Sequence, residues 1–168
     1  QEASVMVDTL VNMRVNMLFC IGGDGTLRGA HTIAEEIKKR KLDISVIGIP
    51  KTIDNDLNFV GRTFGFETAV YHSSDIITCA HMEAKSHFNG LGLVKLMGRD
   101  SGFIAAHACL ANTVVNFCLI PEIPVVLDGP MGLLSMLERR YKRKDHAVIV
   151  VAEGAGQNLM EGPEETDA

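Results

Sequence analysis

Five short apolar runs, alternating with stretches of helical spacing, constrain the fold of this chain more than any other feature. They occupy residues 17–21, 45–49, 91–96, 114–120 and 147–151. Short runs of this kind suit strands buried on both faces of a parallel sheet. Between them, residues 26–41 place Ala30, Ile33, Ala34 and Ile37 on one helical face and end in Lys38, Lys39, Arg40 and Lys41. Cations in a last turn suit the negative end of the helix dipole. Residues 6–16 carry Met6, Leu10 and Met13 at helical spacing, and residues 66–84 carry a stripe of Ala69, Val70, Ile76, Ile77 and Ala80. Residues 103–111 and 132–143 complete the helices. The alternation predicts an α/β fold, a Rossmann-like parallel sheet with helices on both faces.

In such sheets ligands collect beyond the carboxyl ends of the strands, and four of the five ends carry the residues with chemistry. The first ends in Gly22-Gly23-Asp24-Gly25-Thr26, the second in Pro50-Lys51-Thr52-Ile53-Asp54-Asn55-Asp56, the third in Met97-Gly98-Arg99 and the fifth in Glu153-Gly154. Glycines let backbone N–H groups approach phosphate oxygens, and a helix N-terminus favours negative charge. Asp24 among them would repel a phosphate unless a cation stood between, which points to Mg2+. As an N-cap or turn former it has a plainer reading. Lys51 and Thr52 beside Asp54 and Asp56, in a loop after a strand, supply a general base and a cation for a transferred group. Were that segment helical, Lys51 and Asp54 would simply pair on one face. Arg99 suits bidentate phosphate contacts, against a structural turn with Asp100. Glu153 suits hydrogen bonds from a polyol, against an ordinary loop carboxylate. Together the four ends predict phosphoryl transfer, a reaction that needs positioning, metal and charge stabilisation.

Composition narrows the partners. With 168 residues, 46% of them hydrophobic, the chain can bury a sizeable core as one domain over residues 1–161, with a polar loop at 162–168. A net charge of −5 and no basic stripe exclude nucleic acid and anionic membrane as expected partners. The dense basic run from Arg139 to Lys144 reads as a solvated helix end. Cys20, Cys79, Cys109 and Cys118 fit reduced, buried thiols, with no zinc spacing. No apolar run nears the roughly 18 residues of a membrane span, and a cytoplasmic location is the expectation that remains. His72, His81 and His107 have no second ligand at metal spacing and read as packing or surface residues. Gln1 in place of an initiator Met, and the polar close, lead us to expect a fragment.

Residues 21–28 (IGGDGTLR), 48–57 (GIPKTIDNDL), 63–70 (TFGFETAV) and 95–105 (KLMGRDSGFIA) resemble 6-phosphofructokinases in sequence and order. The likeness runs from near Val11 to near Gln157. It implies that Asp24 serves Mg2+ and that Gly23, Asp24, Gly25 and Thr26 bind ATP, Gly25 at its phosphates. Asp54 is implied as the base for the sugar's 1-hydroxyl, Thr52 and Arg99 as stabilisers of the transferring phosphoryl group, and Lys51 and Asp56 as further members of the site. Thr52, Ile53, Asp54, Met97, Gly98, Arg99 and Glu153 would contact fructose 6-phosphate. The full-length protein would be a homo-oligomer. Glu122 matches an effector position of bacterial relatives, a regulation not carried over here.

The donor turns on two residues. Pyrophosphate-using relatives carry Asp where this chain has Gly25, and that side chain intrudes on the nucleotide's place. Lys51 is the pyrophosphate-type residue, but Gly25 with Lys51 together resemble ATP-dependent enzymes of plant and trypanosomatid type. ATP is therefore the expected donor and a pyrophosphate-dependent enzyme the alternative. Gly90 stands where bacterial relatives place a substrate-binding Arg, and the family's N-terminal nucleotide loop and downstream sugar-phosphate residues have no counterpart in this sequence. An inactive fragment or regulatory module is thus a reading of another class. An NAD or lipid kinase shares the GGDG loop but lacks the PKTIDND and MGR motifs.

Overall fold

The computed structural model describes residues 2–160; the polar loop expected at 162–168 lies outside them. The chain forms two compact units: one runs to Thr52 and adds Leu57–Gly65, the other joins Ile53–Asp56 to the chain from Phe66 onward.

The first unit holds α1 (Glu2–Asn12), β1 (Met17–Gly22), α2 (Asp24–Lys39), β2 (Ser45–Thr52) and β3 (Phe64–Gly65). The strands form a parallel sheet in the order β1-β2-β3, with Met17 opposite Ser45 and Gly22 opposite Pro50. Helix α2 packs on β1 and β2 through Ala30 and Ile37, and α1 packs on α2 through the fully buried Val7. Arg40 fastens α1 to α2: it donates to Asp8 Oδ1 at 2.6 Å, to Glu36 Oε1 at 2.7 Å and to the hydroxyl and carbonyl of Ser4.

Several expectations change here. Helix α1 begins and ends earlier than residues 6–16, and Met6 and Met13 are exposed while Val7 makes the contact. Both α1 and α2 stop at a non-glycine residue in the left-handed region, Arg14 (φ 56°) and Lys41 (φ 54°). The following amides reach back, Val15 N–H to Leu10 O at 3.0 Å and Leu42 N–H to Ile37 O at 3.1 Å, closing each helix without the usual glycine. Strand β1 is not buried on both faces. Met17, Phe19 and Ile21 are 51, 53 and 60% exposed, because α2 covers one side and no described helix of this unit covers the other.

The second unit holds α3 (Phe66–Lys85), β4 (Gly90–Leu96), α4 (Phe103–Ala111), β5 (Phe117–Leu119), α5 (Leu133–Tyr141) and β6 (His146–Ala152), with a 3-10 turn at Gln157–Leu159. Its parallel sheet runs β4-β6-β5, pairing Gly90 with His146 through to Leu96 with Ala152. Here helices cover both faces of the central strand β6, whereas on β4 Leu91 and Leu93 stay 48 and 65% exposed, so the strand expected at 91–96 is buried on one face only. Helices α3 and α4 bury Phe66, Ile77, Ile104, Ala105 and Ala108 against Val94, Leu96, Val148, Val150 and Ala152. Leu137 of α5 meets Ala147 and Ile149 on the opposite face. At roughly 25 cal/mol per Å2 of apolar surface, this double-sided burial of β6 dominates the unit's stability. Strand β4 and helix α3 approach closely. A Cβ on Gly90 would lie 2.0 Å from the Ala84 carbonyl oxygen and one on Gly92 2.8 Å from that of Ala80. No arginine fits at position 90 in this backbone.

The single expected sheet is thus two three-stranded sheets, with the two-residue β3 unforeseen. Strand β5 is shorter than residues 114–120, α5 is shorter than 132–143, and Ile76 of α3 is 55% exposed. Cys79 and Cys118 are exposed rather than buried, and all four cysteines are free. The Arg139–Lys144 run is partly structural: Arg140 donates to His146 O at 3.0 Å and Arg139 to Pro130 O at 3.0 Å.

Candidate active site

In the first unit the glycine loop leaves β1 and opens α2. Gly23, in extended backbone, is the N-cap and has no side-chain cap bond, so Asp24 is the first helical residue and not the cap. The Asp24 carboxylate instead pairs with Arg28 one turn on, Oδ2 to Nη2 at 2.6 Å, with both side chains more than half exposed. The loop is tight on one side and open on the other. A Cβ on Gly22 would lie 2.3 Å from Thr26 Oγ1, whereas one on Gly25 would meet nothing within 4 Å. The Cβ position of Gly23 lies 3.6 Å from Thr52 Cβ, so the glycine loop and the end of β2 are neighbours. An open backbone at the N-terminus of a 16-residue helix is suited to phosphate oxygens.

Lys51 and Thr52 do not lie in a loop. They are the last residues of β2, paired with Phe64 and Gly65 of β3. That extended backbone removes the helical Lys51–Asp54 pair as an explanation of the motif. Pro50 does not break the strand because β1 ends opposite it and β3 begins only opposite Lys51.

The second unit gathers Ile53, Asp54, Asp56, Met97, Gly98, Arg99 and Glu153. Ile53 packs on the main core, which roots the loop. Asn55 turns it through a left-handed conformation, φ 57°, that Asn tolerates better than most residues. Because β4 and β6 pair to their last residues, Met97–Arg99 and Glu153–Gly154 leave the sheet side by side. Gly154 N–H donates to Gly98 O at 3.0 Å, and Gly98 itself sits at φ 131°. Met97 is 62% exposed, and Arg99 and Glu153 face solvent.

Asp54 is half-buried. Burial holds its carboxyl above the usual carboxylate range, Asp56, Glu153 and Asp100 push it further up, and Arg99 opposes them. A carboxylate with raised proton affinity, close to a guanidinium, is the chemistry expected of a general base serving an anionic substrate. Residues that the motifs did not announce also shape this corner. Ser101 donates to the Asp54 carbonyl at 2.8 Å, and Glu122 Oε1 accepts the Gly102 N–H at 2.7 Å at the start of α4. The signal for Gly154 was its place beside Glu153; Ser101 lies inside the 95–105 motif and Glu122 matches an effector position of bacterial relatives, but neither signal pointed to these contacts, which span distant sequence.

Among the described residues no group of three or more His, Cys, Asp or Glu side chains is arranged to hold a metal ion. Asp24 fits Mg2+ in a narrower sense. It is an exposed, hard oxygen donor at a helix start, and Mg2+ is commonly held by one or two carboxylates with substrate phosphates supplying the rest.

Comparison with known proteins fixes the lineage. The family model for phosphofructokinase matches residues 1–166. The chain belongs to the phosphofructokinase family. It is 57% identical over 162 residues to an ATP-dependent 6-phosphofructokinase of Borreliella burgdorferi, covering 93% of this chain and 36% of that protein. It is 54% identical over 155 residues to ATP-dependent 6-phosphofructokinase 1 of Arabidopsis thaliana (92% and 33%), and 52% over 168 residues to the ATP-dependent enzyme of Trypanosoma brucei brucei (100% and 34%). The chain therefore spans about a third of the length of these relatives. Among solved structures, a pyrophosphate-dependent phosphofructokinase from Marinobacter aquaeolei aligns with a TM-score of 0.75 at 23% identity, covering 92% of this chain and 41% of that one. At that identity the likeness concerns the fold alone. Among the described residues no helix is long and apolar enough to cross a membrane.

Proposed function

We propose that the protein carrying this chain transfers a phosphoryl group from ATP to the 1-hydroxyl of fructose 6-phosphate, giving fructose 1,6-bisphosphate. The observation that carries this reading is the half-buried Asp54 carboxyl, raised in proton affinity, in one unit with Arg99 and Glu153. Asp54 accepts the hydroxyl proton as it leaves the attacking oxygen. Arg99 offsets charge on the group in transit, the Thr52 hydroxyl stabilises it by donating a hydrogen bond, and Lys51 and Asp56 complete the polar surroundings. Ile53, Met97, Gly98 and Glu153 form the sugar-phosphate side, Glu153 accepting hydrogen bonds from sugar hydroxyls. Gly23, Gly25 and Thr26 receive nucleotide phosphates on the open backbone of α2. Asp24 would hold Mg2+, which when bound offsets phosphate charge. The empty space at Gly25 and the ATP-dependent names of the relatives above both support ATP over pyrophosphate. The whole enzyme is proposed to be a homo-oligomer.

The test is a coupled assay of the full-length protein with fructose 6-phosphate and each donor in turn. Activity with ATP and not pyrophosphate supports the reading, and the reverse overturns the donor. Asp54→Ser is expected to lose most turnover and keep much of the sugar-phosphate affinity; unchanged turnover would remove Asp54 from the mechanism.

A further inference from the structure

Ser101 has no part in the roles above, yet it is among the most buried polar residues of the second unit, at 3% exposure. Its hydroxyl donates to the Asp54 carbonyl at 2.8 Å and lies 3.5 Å from the Phe103 amide, which donates to it from the first turn of α4. The serine is itself closely held. On one side a Cβ at Gly98 would lie 2.3 Å from the Ser101 carbonyl oxygen. On the other, Gly102 N–H is bound to Glu122 Oε1 at 2.7 Å, and a Cβ at Gly102 would strike both Glu122 and Ile120.

The Ile53–Asp56 segment has no helix or strand ladder of its own to occupy its backbone polar groups. A half-buried carbonyl in such a segment needs a donor, and Ser101 supplies it from 47 residues away. We propose that Ser101 is a positioning residue for the base: its hydroxyl fixes the Asp54 main chain against the turn that carries Arg99, so that carboxyl and guanidinium keep one geometry. The proposal rests on the phosphotransfer reading above. Glu122 takes part indirectly, by holding Gly102 and hence the serine beside it.

With the main chain of Asp54 anchored, its carboxyl is left only the two side-chain torsions to explore. Without the anchor the loop can shift, and a misplacement of about 1 Å at a reacting group costs up to about 100-fold in rate. A thiol at position 101 keeps the shape and a weak donor, whereas a methyl group keeps neither.

The experiment measures kcat, KM for fructose 6-phosphate and thermal unfolding of the full-length protein as Ser101→Ala and Ser101→Cys, each also in an Asp54→Ser background. We expect Ser101→Ala to lower kcat about 10-fold with KM changed less than about twofold, and Ser101→Cys to recover part of that loss. With Asp54→Ser in place, Ser101→Ala should cost little more, because the base it positions is gone. Unchanged kcat in Ser101→Ala overturns the proposal. So does an equal loss in both backgrounds, or a rise in KM alone, since either marks a merely structural serine. If alanine unfolds the protein, the cysteine variant with its own Asp54→Ser partner decides. Absence of fructose 6-phosphate phosphorylation by the unsubstituted protein would instead count against the phosphotransfer reading.

Discussion

Gly154→Ala tests whether the corner proposed for the sugar phosphate is held by backbone contact. A Cβ at this position would lie 1.6 Å from the Arg99 carbonyl oxygen and 2.7 Å from the Arg99 carbonyl carbon. These are main-chain atoms that cannot rotate away, and real contacts of this kind keep to 3.0 Å or more. The two turns must therefore part by about 1.4 Å. That movement lengthens the Gly154 N–H bond to Gly98 O, now 3.0 Å, past useful range. Losing that bond costs about 1 kcal/mol, and the overpacking about 1–3 kcal/mol more. At about 2–4 °C per kcal/mol in a chain of this size, the melting temperature should fall by about 4–16 °C. The assay is thermal unfolding followed by circular dichroism, with Gly29→Ala as a reference. Gly29 lies inside α2 with nothing within 4 Å of its Cβ position, so alanine there should stabilise by up to about 1 kcal/mol. In the full-length protein Gly154→Ala should also raise KM for fructose 6-phosphate, because Arg99 and Glu153 are driven apart. A variant melting with the wild type would refute the reasoning, and so would Gly29→Ala falling by the same amount.

Three further outcomes are expected. The raised proton affinity of Asp54 means that the folded state holds its proton more tightly than the unfolded chain, so its charge opposes folding once pH passes above the ordinary carboxylate value. Asp54→Asn should consequently melt higher than wild type at pH 7, with the difference vanishing near pH 3, while turnover is lost; a lower melting point at pH 7 would count against it. Gly25→Asp places a carboxylate in open space, so unfolding should be nearly unchanged while ATP-dependent turnover falls at least about 10-fold, worth about 1.4 kcal/mol in the transition state; undiminished ATP use would show that this position does not govern the donor. His81 has its Nδ1 buried without a partner and its ring edge-on to His146 at 5.1 Å. Burial, with His146, Lys85 and Arg140 around it, lowers its proton affinity. Stability from this group is complete above about pH 6.5 and drains away as pH falls. Melting profiles between pH 7.5 and 5 should therefore be steeper for wild type than for His81→Gln, and parallel profiles would dismiss the effect.

Much of this was legible in the chain. Helix α4 falls on residues 103–111 as its pattern predicts, and the chemically suggestive residues do lie at strand ends, because a parallel sheet delivers them there. What escaped was non-local or conformational. Arg14 and Lys41 end helices in a left-handed conformation with no glycine to announce it. Pro50 looked like the end of a strand that in fact runs on to Thr52, since the two neighbouring strands change over at that point. Asp24 was weighed as a cap, but Gly23 takes that place and frees Asp24 for Arg28. Ser101 falls inside the 95–105 motif yet drew no role, because one serine after Arg-Asp acquires meaning only from a carbonyl 47 residues earlier.

The tetrapeptide Ile53–Asp56 is a loan from one stretch of sequence to another unit's framework. A truncation beginning at Phe66 would retain every strand of the β4-β6-β5 sheet and both of its apolar layers. It would lack Asp54, and the Ser101 hydroxyl would lose the carbonyl it now serves. A piece that keeps Asp54 on the Ser101 hydroxyl must therefore begin no later than Ile53, and it then carries Leu57–Gly65 of the other unit with it.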